Sequence, residues 1–244
     1  MIRTIWVWGV GIFLTVTLGL ALILFSFFDR RGTSLHRIAK LWARGILAAS
    51  GVVVSVDGAE NLVPGSPQIL ASNHQGYFDI FALFCHVPLL FGWIAKKELY
   101  RIPVFAMAMR RFGNIEIDRS SREGSRESLR VAAGKIRGGR SVLIFPEGTR
   151  TPDGEVKSFK KGVYHLAEAS GVPVIPISIS GSYEIMPKGS FRLRPGTIRL
   201  VICKPLWVDG SGEQGSSRFL EALRKRIMDN QVFPRSSKNM GATT

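Results

Sequence analysis

The chain has 244 residues, 45% of them hydrophobic, and its 33 Lys and Arg against 18 Asp and Glu give a formal net charge of +15. This length and apolar content exclude a disordered protein and predict one sizeable domain with an appendage. The charge calls for an anionic partner, which can be nucleic acid, an anionic lipid surface or a phosphorylated substrate. We expect no nucleic-acid partner, because the sequence has no helix-turn-helix, RRM or zinc-finger signature.

The N-terminal region contains a candidate membrane segment. From Ile5 to Phe28 there are 24 residues without a charge, which as one helix would extend about 36 Å and cross a hydrocarbon core of about 30 Å. A cleaved signal peptide is disfavoured, because the stretch is long and does not end at a small-x-small site. A spanning helix and a re-entrant hairpin both fit, since Gly9, Gly11 and Gly19 weaken a single straight helix.

A second predicted helix follows, from Ser34 to Ser50. It carries apolar residues at helical spacing and basic residues on the remaining arc. It can lie in the headgroup layer with its cations toward anionic lipid, or pack on its own domain; adjacency to the apolar segment favours the first. The apolar residues are Leu35, Ile38, Leu41, Trp42, Ile46 and Leu47, and the arc carries His36, Arg37, Lys40 and Arg44.

Basic residues flank the apolar segment unequally. Only Arg3 precedes it, whereas five cations follow it closely, so the positive-inside rule predicts the bulk of the chain in the cytoplasm. The two cysteines, Cys85 and Cys203, lack metal-site or disulfide spacing, which fits that reducing compartment. We expect residues 1–50 to form a membrane anchor, 51–233 the main domain and 234–244 a disordered tail.

The rest of the chain alternates short apolar runs with amphipathic stretches. This alternation predicts an α/β fold with a mostly parallel central sheet flanked by helices. The predicted strands are Val52–Val56, Gln68–Ser72, Ile115–Ile117, Ser141–Phe145, Val174–Ser178 and Thr197–Cys203. The predicted helices are Ile80–His86, Pro103–Arg110, Ser125–Lys135, Lys160–Ala169 and Ser217–Asp229.

A polar cluster, Asn73 to Asp79, follows the second predicted strand, where open α/β sheets build their sites. His74 and Asp79 would diverge on one helix, so they meet only if His74 lies in the turn ahead of it, which Gly76 permits. A carboxylate on one ring nitrogen fixes the tautomer of an imidazole and makes the other nitrogen a general base for a hydroxyl. In the alternative, His74 caps the helix and Asp79 lies at the surface.

A second cluster, Phe145-Pro146-Glu147-Gly148-Thr149-Arg150, also follows an apolar strand. Gly148 allows close backbone approach, and the planar fork of Arg150 suits phosphate oxygens. Glu147 would position Arg150 or bond an acceptor hydroxyl, unless it is a solvated carboxylate. Two more basic spots are Lys96-Lys97 and the arginine that ends Gly113 to Arg119, although single cations are usually solvated.

In this order the blocks resemble the glycerolipid acyltransferase family, most closely the bacterial 1-acylglycerol-3-phosphate (lysophosphatidic acid) acyltransferases. The resemblance covers Gln68 to Ser182. The sequence departs from the family pattern where Gln75 replaces the usual Ser or Thr. Four segments of this sequence are similar to the four conserved blocks of the family. Asn73 to Asp79 is similar to the His-x4-Asp block, Gly113 to Arg119 to the second block, Phe145 to Arg150 to the Phe-Pro-Glu-Gly-Thr-Arg block, and Val172 to Pro176 to the fourth.

The resemblance implies an enzyme of phospholipid biosynthesis whose catalytic domain is residues 51–233. It implies that His74 is the base, that Asp79 is its partner and that Pro176 shapes the acyl side. The residues it implies for binding the phosphate and glycerol of the acceptor are Arg119, Glu147, Gly148, Thr149 and Arg150, with Lys96 and Lys97 as further cations.

The implied reaction transfers a fatty acyl group from acyl-CoA or acyl carrier protein to the free hydroxyl of 1-acylglycerol-3-phosphate, giving phosphatidic acid. The acyl carrier is a cosubstrate, so we expect neither a metal nor a bound cofactor. The expected partners are lysophosphatidic acid, the acyl donor, with acyl carrier protein as one form of it, and an anionic membrane surface. The expected location is the cytoplasmic face of a bacterial inner membrane.

Two other functions fit parts of the sequence, and a third is disfavoured. An acyltransferase whose acceptor is glycerol-3-phosphate, a lyso-ornithine lipid or another lysophospholipid is the nearest alternative, and Arg150 would matter less for acceptors without a terminal phosphate. A hydrolase would need a G-x-S-x-G elbow, which the sequence does not contain. A non-catalytic membrane scaffold would tolerate the loss of both His74 and Asp79.

Overall fold

A computed structural model of the chain describes residues 2–29, 32–101, 103–118 and 121–232. Two predictions lie outside these residues, namely the placement of Arg119 and the disordered tail from residue 234 to 244. The side chain of Lys96 also lies outside the description, although its backbone ends a strand.

The centre of the domain is a mostly parallel sheet, which confirms the predicted fold class. In the described part of the chain seven strands pair in the order β1-β7-β6-β2-β5-β3-β4. Every neighbouring pair is parallel except β6 with β7. The strands are β1 (Val52–Asp57), β2 (Ile69–Ser72), β3 (Phe91–Lys96), β4 (Ile115–Ile117), β5 (Ser141–Ile144), β6 (Val174–Ser180) and β7 (Gly196–Ile202).

Helices cover both faces of this sheet. Leu70 belongs to the core on one face and Ile69 and Ala71 to the core on the other, and all three are fully buried, as expected of a parallel strand between two helical layers. The first core includes residues of α2, α3 and α7, and the second residues of α5, α6 and α8. The helices are α1 (Ile2–Ser26), α2 (Thr33–Ser50), α3 (Phe78–His86), α4 (Pro103–Phe112), α5 (Arg122–Arg137), α6 (Gly162–Ser170), α7 (Ser182–Ile185) and α8 (Gly212–Met228).

Strand β3 was not predicted from the sequence. Its sequence contains Gly92 near the start, and a glycine weakens the apolar pattern by which a strand is predicted. The structure explains the glycine, because a Cβ at this position would lie 2.1 Å from the carbonyl oxygen of Gly113. The close approach of the two backbones is therefore possible only with glycine in β3.

The two N-terminal helices form an antiparallel hairpin. Asp29 accepts hydrogen bonds from the amides of Gly32 and Ser34 and so begins α2. The indole of Trp42 on α2 donates to Thr15 on α1 at 3.0 Å. Helix α1 has the length and composition to cross a bilayer, with a mean hydropathy of 2.3 and only 6% of its most apolar window buried.

Helix α2 packs on the domain, as in the second of the two interpretations of its amphipathic pattern. Leu35 and Ala43 are fully buried in the core shared with α3 and the sheet, and Ile46 and Leu47 are nearly so. Leu41 instead remains exposed. Most of the apolar face of α2 is therefore buried against the domain.

The prediction that His36 lies on the basic, polar arc of α2 was wrong. Its ring stacks on that of Phe112, with centroids 4.3 Å apart. Its Nε2 lies 2.7 Å from the carbonyl oxygen and 3.0 Å from the amide nitrogen of Phe91 in β3. Burial lowers the pKa of His36 below its ordinary value of 6.5.

This environment predicts a pH-dependent stability. Because the folded pKa of His36 is lowered, the unfolded chain binds more protons below about pH 6.5, so stability falls as the pH drops through that value, by up to about 1.4 kcal/mol per pH unit. Thermal unfolding in detergent between pH 7.5 and 5.5 measures the effect. His36→Phe, which keeps the stacked ring and removes the titration, should show a shallower decrease; an equal slope in both proteins would contradict the assignment.

Candidate active site

The turn between β2 and α3 brings His74 and Asp79 together. His74 lies ahead of the helix, and its Nδ1 is 2.7 Å from Oδ2 of Asp79. The same oxygen accepts hydrogen bonds from the amides of Gln75 at 2.7 Å and Gly76 at 2.9 Å. Asp79 therefore satisfies the free amides ahead of the helix and orients the imidazole at the same time.

The glycine of this turn is required for a reason other than the one predicted. Gly76 is not among the described glycines with positive φ. A Cβ at this position would lie 2.8 Å from the carbonyl oxygen of Ser182. The residue is glycine because the turn packs directly against the start of α7.

Ser182 is a further partner of the pair that sequence reasoning missed. Its hydroxyl donates to Oδ1 of Asp79, and both residues are fully buried. Asp79 thus accepts four hydrogen bonds, three on Oδ2 and one on Oδ1. The one feature of the sequence that could have pointed to Ser182 is its position as the last residue of the region of family resemblance, just after β6.

We expect Ser182→Ala to lower kcat roughly tenfold to a hundredfold, the size of one hydrogen bond to a charged group, while KM changes little. Ser182 contacts the imidazole only through Asp79, so its loss should disturb the orientation of the ring and leave substrate binding unchanged. Steady-state kinetics measures the effects on kcat and KM separately. Ser178→Ala is the matched control, since the Ser178 hydroxyl is equally buried but donates to the carbonyl of Ile227 on α8. A raised KM with normal kcat in Ser182→Ala would contradict this positioning role.

The imidazole of His74 is held flat and only partly exposed. Its ring stacks on that of Phe145 with centroids 3.9 Å apart and planes 13° apart, and 15% of its side chain is accessible. Because an ionised Asp79 can only accept, Nδ1 of His74 carries the proton and Nε2 has the free lone pair. Nε2 is the nitrogen available for proton transfer.

The cluster after β5 braces the backbone of His74. Oε1 of Glu147 accepts from the amide of His74 at 2.9 Å, and Oε2 accepts from the amide of Lys157 at 3.2 Å. The amide of Thr151 donates to the carbonyl oxygen of His74 at 2.8 Å. Burial raises the pKa of Glu147, against the effect of these two amide donors.

Cations surround the turn that carries Gly148 and Thr149. Gly148 has φ 75°, and a Cβ there would lie 2.9 Å from Nζ of Lys160. Nζ of Lys188 donates to the hydroxyl of Thr149 at 3.2 Å. Neither lysine was singled out from the sequence, because each is distant along the chain from the block it approaches.

Arg150 lies over the His74 turn. Its guanidinium carbon is 3.6 Å from the centre of the Tyr77 ring. Its Nη1 is buried and has no hydrogen-bond partner among the described residues. A buried guanidinium N–H without a partner is costly unless a ligand supplies an acceptor, which makes this group a candidate anion site.

A cleft of about 730 Å³ adjoins this turn. It shares Phe145, Pro146 and Gly148 with the site, and its wall combines apolar and basic side chains with two glutamates, Glu168 and Glu213. This mixture suits an amphiphile with an anionic head. Its apolar lining includes Ile94, Ile117, Leu129 and Ile144, and its basic lining Arg126, Lys160 and Lys161.

Residues 53–180, more than half of the chain, match the family model described as Acyltransferase. The chain belongs to the acyltransferase family. The segment that defines membership in this acyltransferase family contains His74, Asp79, Arg150 and Pro176, and ends two residues before Ser182. The predicted family resemblance is confirmed.

Relatives in this acyltransferase family carry related names. The chloroplastic 1-acyl-sn-glycerol-3-phosphate acyltransferase LPAT1 of Arabidopsis thaliana is 38% identical over 174 residues, which are 70% of this chain and 48% of that protein. The 1-acyl-sn-glycerol-3-phosphate acyltransferase of Pseudomonas aeruginosa is 34% identical over 173 residues, 70% of this chain and 65% of that one. The chain thus spans about half to two-thirds of the length of these relatives.

A solved structure in the same family is similar over nearly the whole chain. It is the crystal structure of the 1-acyl-sn-glycerophosphate (LPA) acyltransferase PlsC from Thermotoga maritima. The TM-score is 0.76 at 29% identity, and the match covers 93% of this chain and 94% of that one. The similarity therefore includes the N-terminal helices as well as the catalytic fold.

Two more residues predicted for the site, Lys97 and Pro176, have described side chains. Nζ of Lys97 is 3.0 Å from Oδ2 of Asp118 beside β3 and β4, two and three strands from β2. Pro176 is buried in β6, paired in register with Ala71 of β2. Across the described ranges no group of three or more His, Cys, Asp or Glu could hold a metal ion.

Proposed function

We propose that this acyltransferase transfers a fatty acyl group from acyl-CoA or acyl carrier protein to the free hydroxyl of 1-acylglycerol-3-phosphate, giving phosphatidic acid. The observation that carries the proposal is the His74–Asp79 pair beneath the guanidinium of Arg150, whose Nη1 has no hydrogen-bond partner among the described residues. The names of the relatives support this acceptor. Neither a metal nor a bound cofactor takes part in the proposed reaction.

In the proposed mechanism His74 is the general base. Nε2 takes the proton of the acceptor hydroxyl as its oxygen attacks the thioester carbonyl, and Asp79 stabilises the imidazolium that forms. The tetrahedral intermediate breaks its carbon–sulfur bond. A thiol with a pKa of about 8.5 is a good leaving group, so the thiolate departs and recovers the proton from the imidazolium.

The acceptor is proposed to be held by its phosphate. Arg150 supplies a bidentate donor, and Lys160 and Lys188 add positive charge around Gly148 and Thr149. Arg119, Glu147, Lys96 and Lys97 stay predictions for this role. The two backbone bonds of Glu147 suggest that it chiefly fixes the position of His74.

We also propose that the N-terminal hairpin attaches the enzyme to one leaflet of a membrane, on the cytoplasmic face. Helix α1 contacts the rest of the protein near both ends: the indole of Trp8 donates to the carbonyl oxygen of Phe191 at 3.0 Å, and Leu22 and Ile23 line a cavity together with residues of α4. A helix that lies along a charged domain over its length cannot cross a bilayer without drawing that domain into it. Its exposed side chains and the net charge of +15 fit an anionic lipid surface.

The decisive experiment is a product analysis. Detergent-purified protein is incubated with labelled acyl-CoA and acyl carrier protein donors and a panel of acceptors, and the product lipid is identified by mass. Phosphatidic acid from lysophosphatidic acid is expected to predominate over products from glycerol-3-phosphate, lysophosphatidylcholine and lyso-ornithine lipid. Equal rates with acceptors that lack a terminal phosphate would refute the proposed acceptor.

A further inference from the structure

The loop between α7 and β7, residues Met186–Pro195, exposes an aromatic side chain among cations. Phe191 is 76% exposed. Lys188, Arg192 and Arg194 are exposed as well, and the loop contains no Asp or Glu. An exposed aromatic ring flanked by basic residues is typical of segments that lie at the boundary between lipid headgroups and acyl chains.

This loop continues the apolar surface of α1. The indole of Trp8 donates to the carbonyl oxygen of Phe191 at 3.0 Å, and the two rings are 6.1 Å apart. Phe191 is therefore not an isolated apolar residue but the end of a large exposed patch. The patch on α1 consists of Ile5, Trp6, Trp8, Ile12, Phe13, Val16, Leu20, Leu24 and Phe25.

We propose that the α7–β7 loop is a second membrane-contact element, in which Phe191 enters the headgroup boundary and Arg192 and Arg194 bind anionic headgroups. Lipid fits this surface because the loop continues the apolar surface of α1 and carries three cations without an acidic residue, the combination expected at a boundary with anionic headgroups. In the described part of the chain, neither arginine forms an ion pair with a carboxylate. Anionic phospholipid supplies the missing counter-charge.

The same loop also touches both blocks of the candidate active site. Pro187 pairs with Gly76 in an antiparallel bridge next to the His74 turn. Lys188 donates to Thr149 of the turn after β5. Contact of Phe191 with lipid would thus fix the entrance of the site at the depth of the headgroups, where a one-tailed anionic lipid presents its polar end.

The first test measures the depth of residue 191 directly. Cys85 and Cys203 are buried, so Phe191→Cys can be labelled selectively in the full chain with an environment-sensitive nitrobenzoxadiazole group. On vesicles of phosphatidylcholine and phosphatidylglycerol we expect a blue shift and quenching by lipids with a spin label high on the acyl chain. Ala222→Cys on α8, at the opposite face of the sheet, is the control and should show neither.

Two results would overturn the proposal. One is a spectrum at position 191 that responds to vesicles no more than the Ala222→Cys control does. The other is a blue shift that lipid-borne quenchers do not affect and that grows with protein concentration, which would show that a second copy of the chain covers the loop.

The second test examines the headgroup contacts. Quenching at position 191 should be stronger with phosphatidylglycerol than with phosphatidylcholine alone, and R192A/R194A should weaken this preference by about fivefold per cation. R218A/K225A on α8 removes the same charge elsewhere and should leave the preference intact. Equal effects of the two double variants would show that only net charge matters and would refute specific contacts of the loop.

The contact of the loop with lipid can be tested independently of the proposed reaction. The fluorescence reports contact whether or not acyl transfer occurs, so quenching without any product would refute the proposed function and leave the loop assignment standing. If the reaction is found, Phe191→Glu should lower kcat/KM for lysophosphatidic acid in vesicles more than for a short-chain acceptor dissolved in water. Equal losses with both acceptors would place Phe191 outside membrane contact.

Discussion

Replacement of His74 by alanine is expected to lower kcat by about 10²- to 10⁴-fold, the contribution of a positioned general base. The variant removes the ring nitrogen that takes the hydroxyl proton but leaves the backbone bonds of residue 74 to Glu147 and Thr151 in place. The fold should therefore persist, and KM for the acceptor should change little. Initial rates of acyl transfer and a thermal unfolding scan of the same preparation test both statements.

Two comparisons sharpen this prediction. Asp79→Asn should also reduce kcat strongly, because its amide oxygen can replace Oδ2 as acceptor of the Gln75 and Gly76 amides but a neutral amide does not stabilise the imidazolium that forms. His86→Ala removes a histidine at the other end of α3, where its Nδ1 lies 3.1 Å from the carbonyl oxygen of Ala82, and should be nearly neutral for the rate. A fully active, well-folded His74→Ala protein would rule out the base assignment.

Arg150→Ala is expected to lower kcat/KM for lysophosphatidic acid by about 10²-fold, within the range for a buried, hydrogen-bonded charge whose partner is removed. The reason is that Nη1 of Arg150 is buried without a partner among the described residues, so the phosphate is the proposed acceptor. Most of the loss should come from KM. Arg150→Lys should recover only part of it, because a lysine keeps the charge but neither the planar fork nor the stack on Tyr77.

A comparison of acceptors with and without a terminal phosphate distinguishes a loss of phosphate binding from a general loss of activity. With an acceptor that lacks a terminal phosphate, Arg150→Ala should lose far less activity. Arg130→Ala on α5 is the control, since Arg130 is exposed and paired with Glu127 in the same helix. A loss in Arg150→Ala that is equal for both kinds of acceptor would mean that the arginine supports the turn and does not bind phosphate.

Local pattern was sufficient for most of the fold. The predicted strands correspond to six of the seven described strands, because buried parallel strands read as short apolar runs between turns. The missing one, β3, depends on a contact between Gly92 and Gly113, which lie 21 positions apart and leave no periodic signal. The helices α3, α5 and α8 begin two to five residues earlier than predicted; in α5, the side chain of Ser121 caps the helix by accepting from the amide of Gly124.

The candidate site was predictable only where its residues are neighbours in sequence. The spacing of His74 and Asp79 with a turn before the helix allowed a local argument about their contact. Ser182 reaches Asp79 across 103 positions, and the amide of His74 reaches Glu147 across 73. Contacts of this kind follow from the order of strands in the sheet, and no local pattern encodes them.

The pairing of β1 with β7 has a consequence for biosynthesis. Val52 pairs with Gly196, so the partner of the first strand is synthesised about 140 residues later than the strand itself. The ribosome releases the apolar hairpin long before that partner is made, and non-local pairing of this kind is slow to form. The nascent chain would then be tethered to lipid while its sheet is still open, and chains that stop before Gly196 would expose the lone edge of β1 to aggregation.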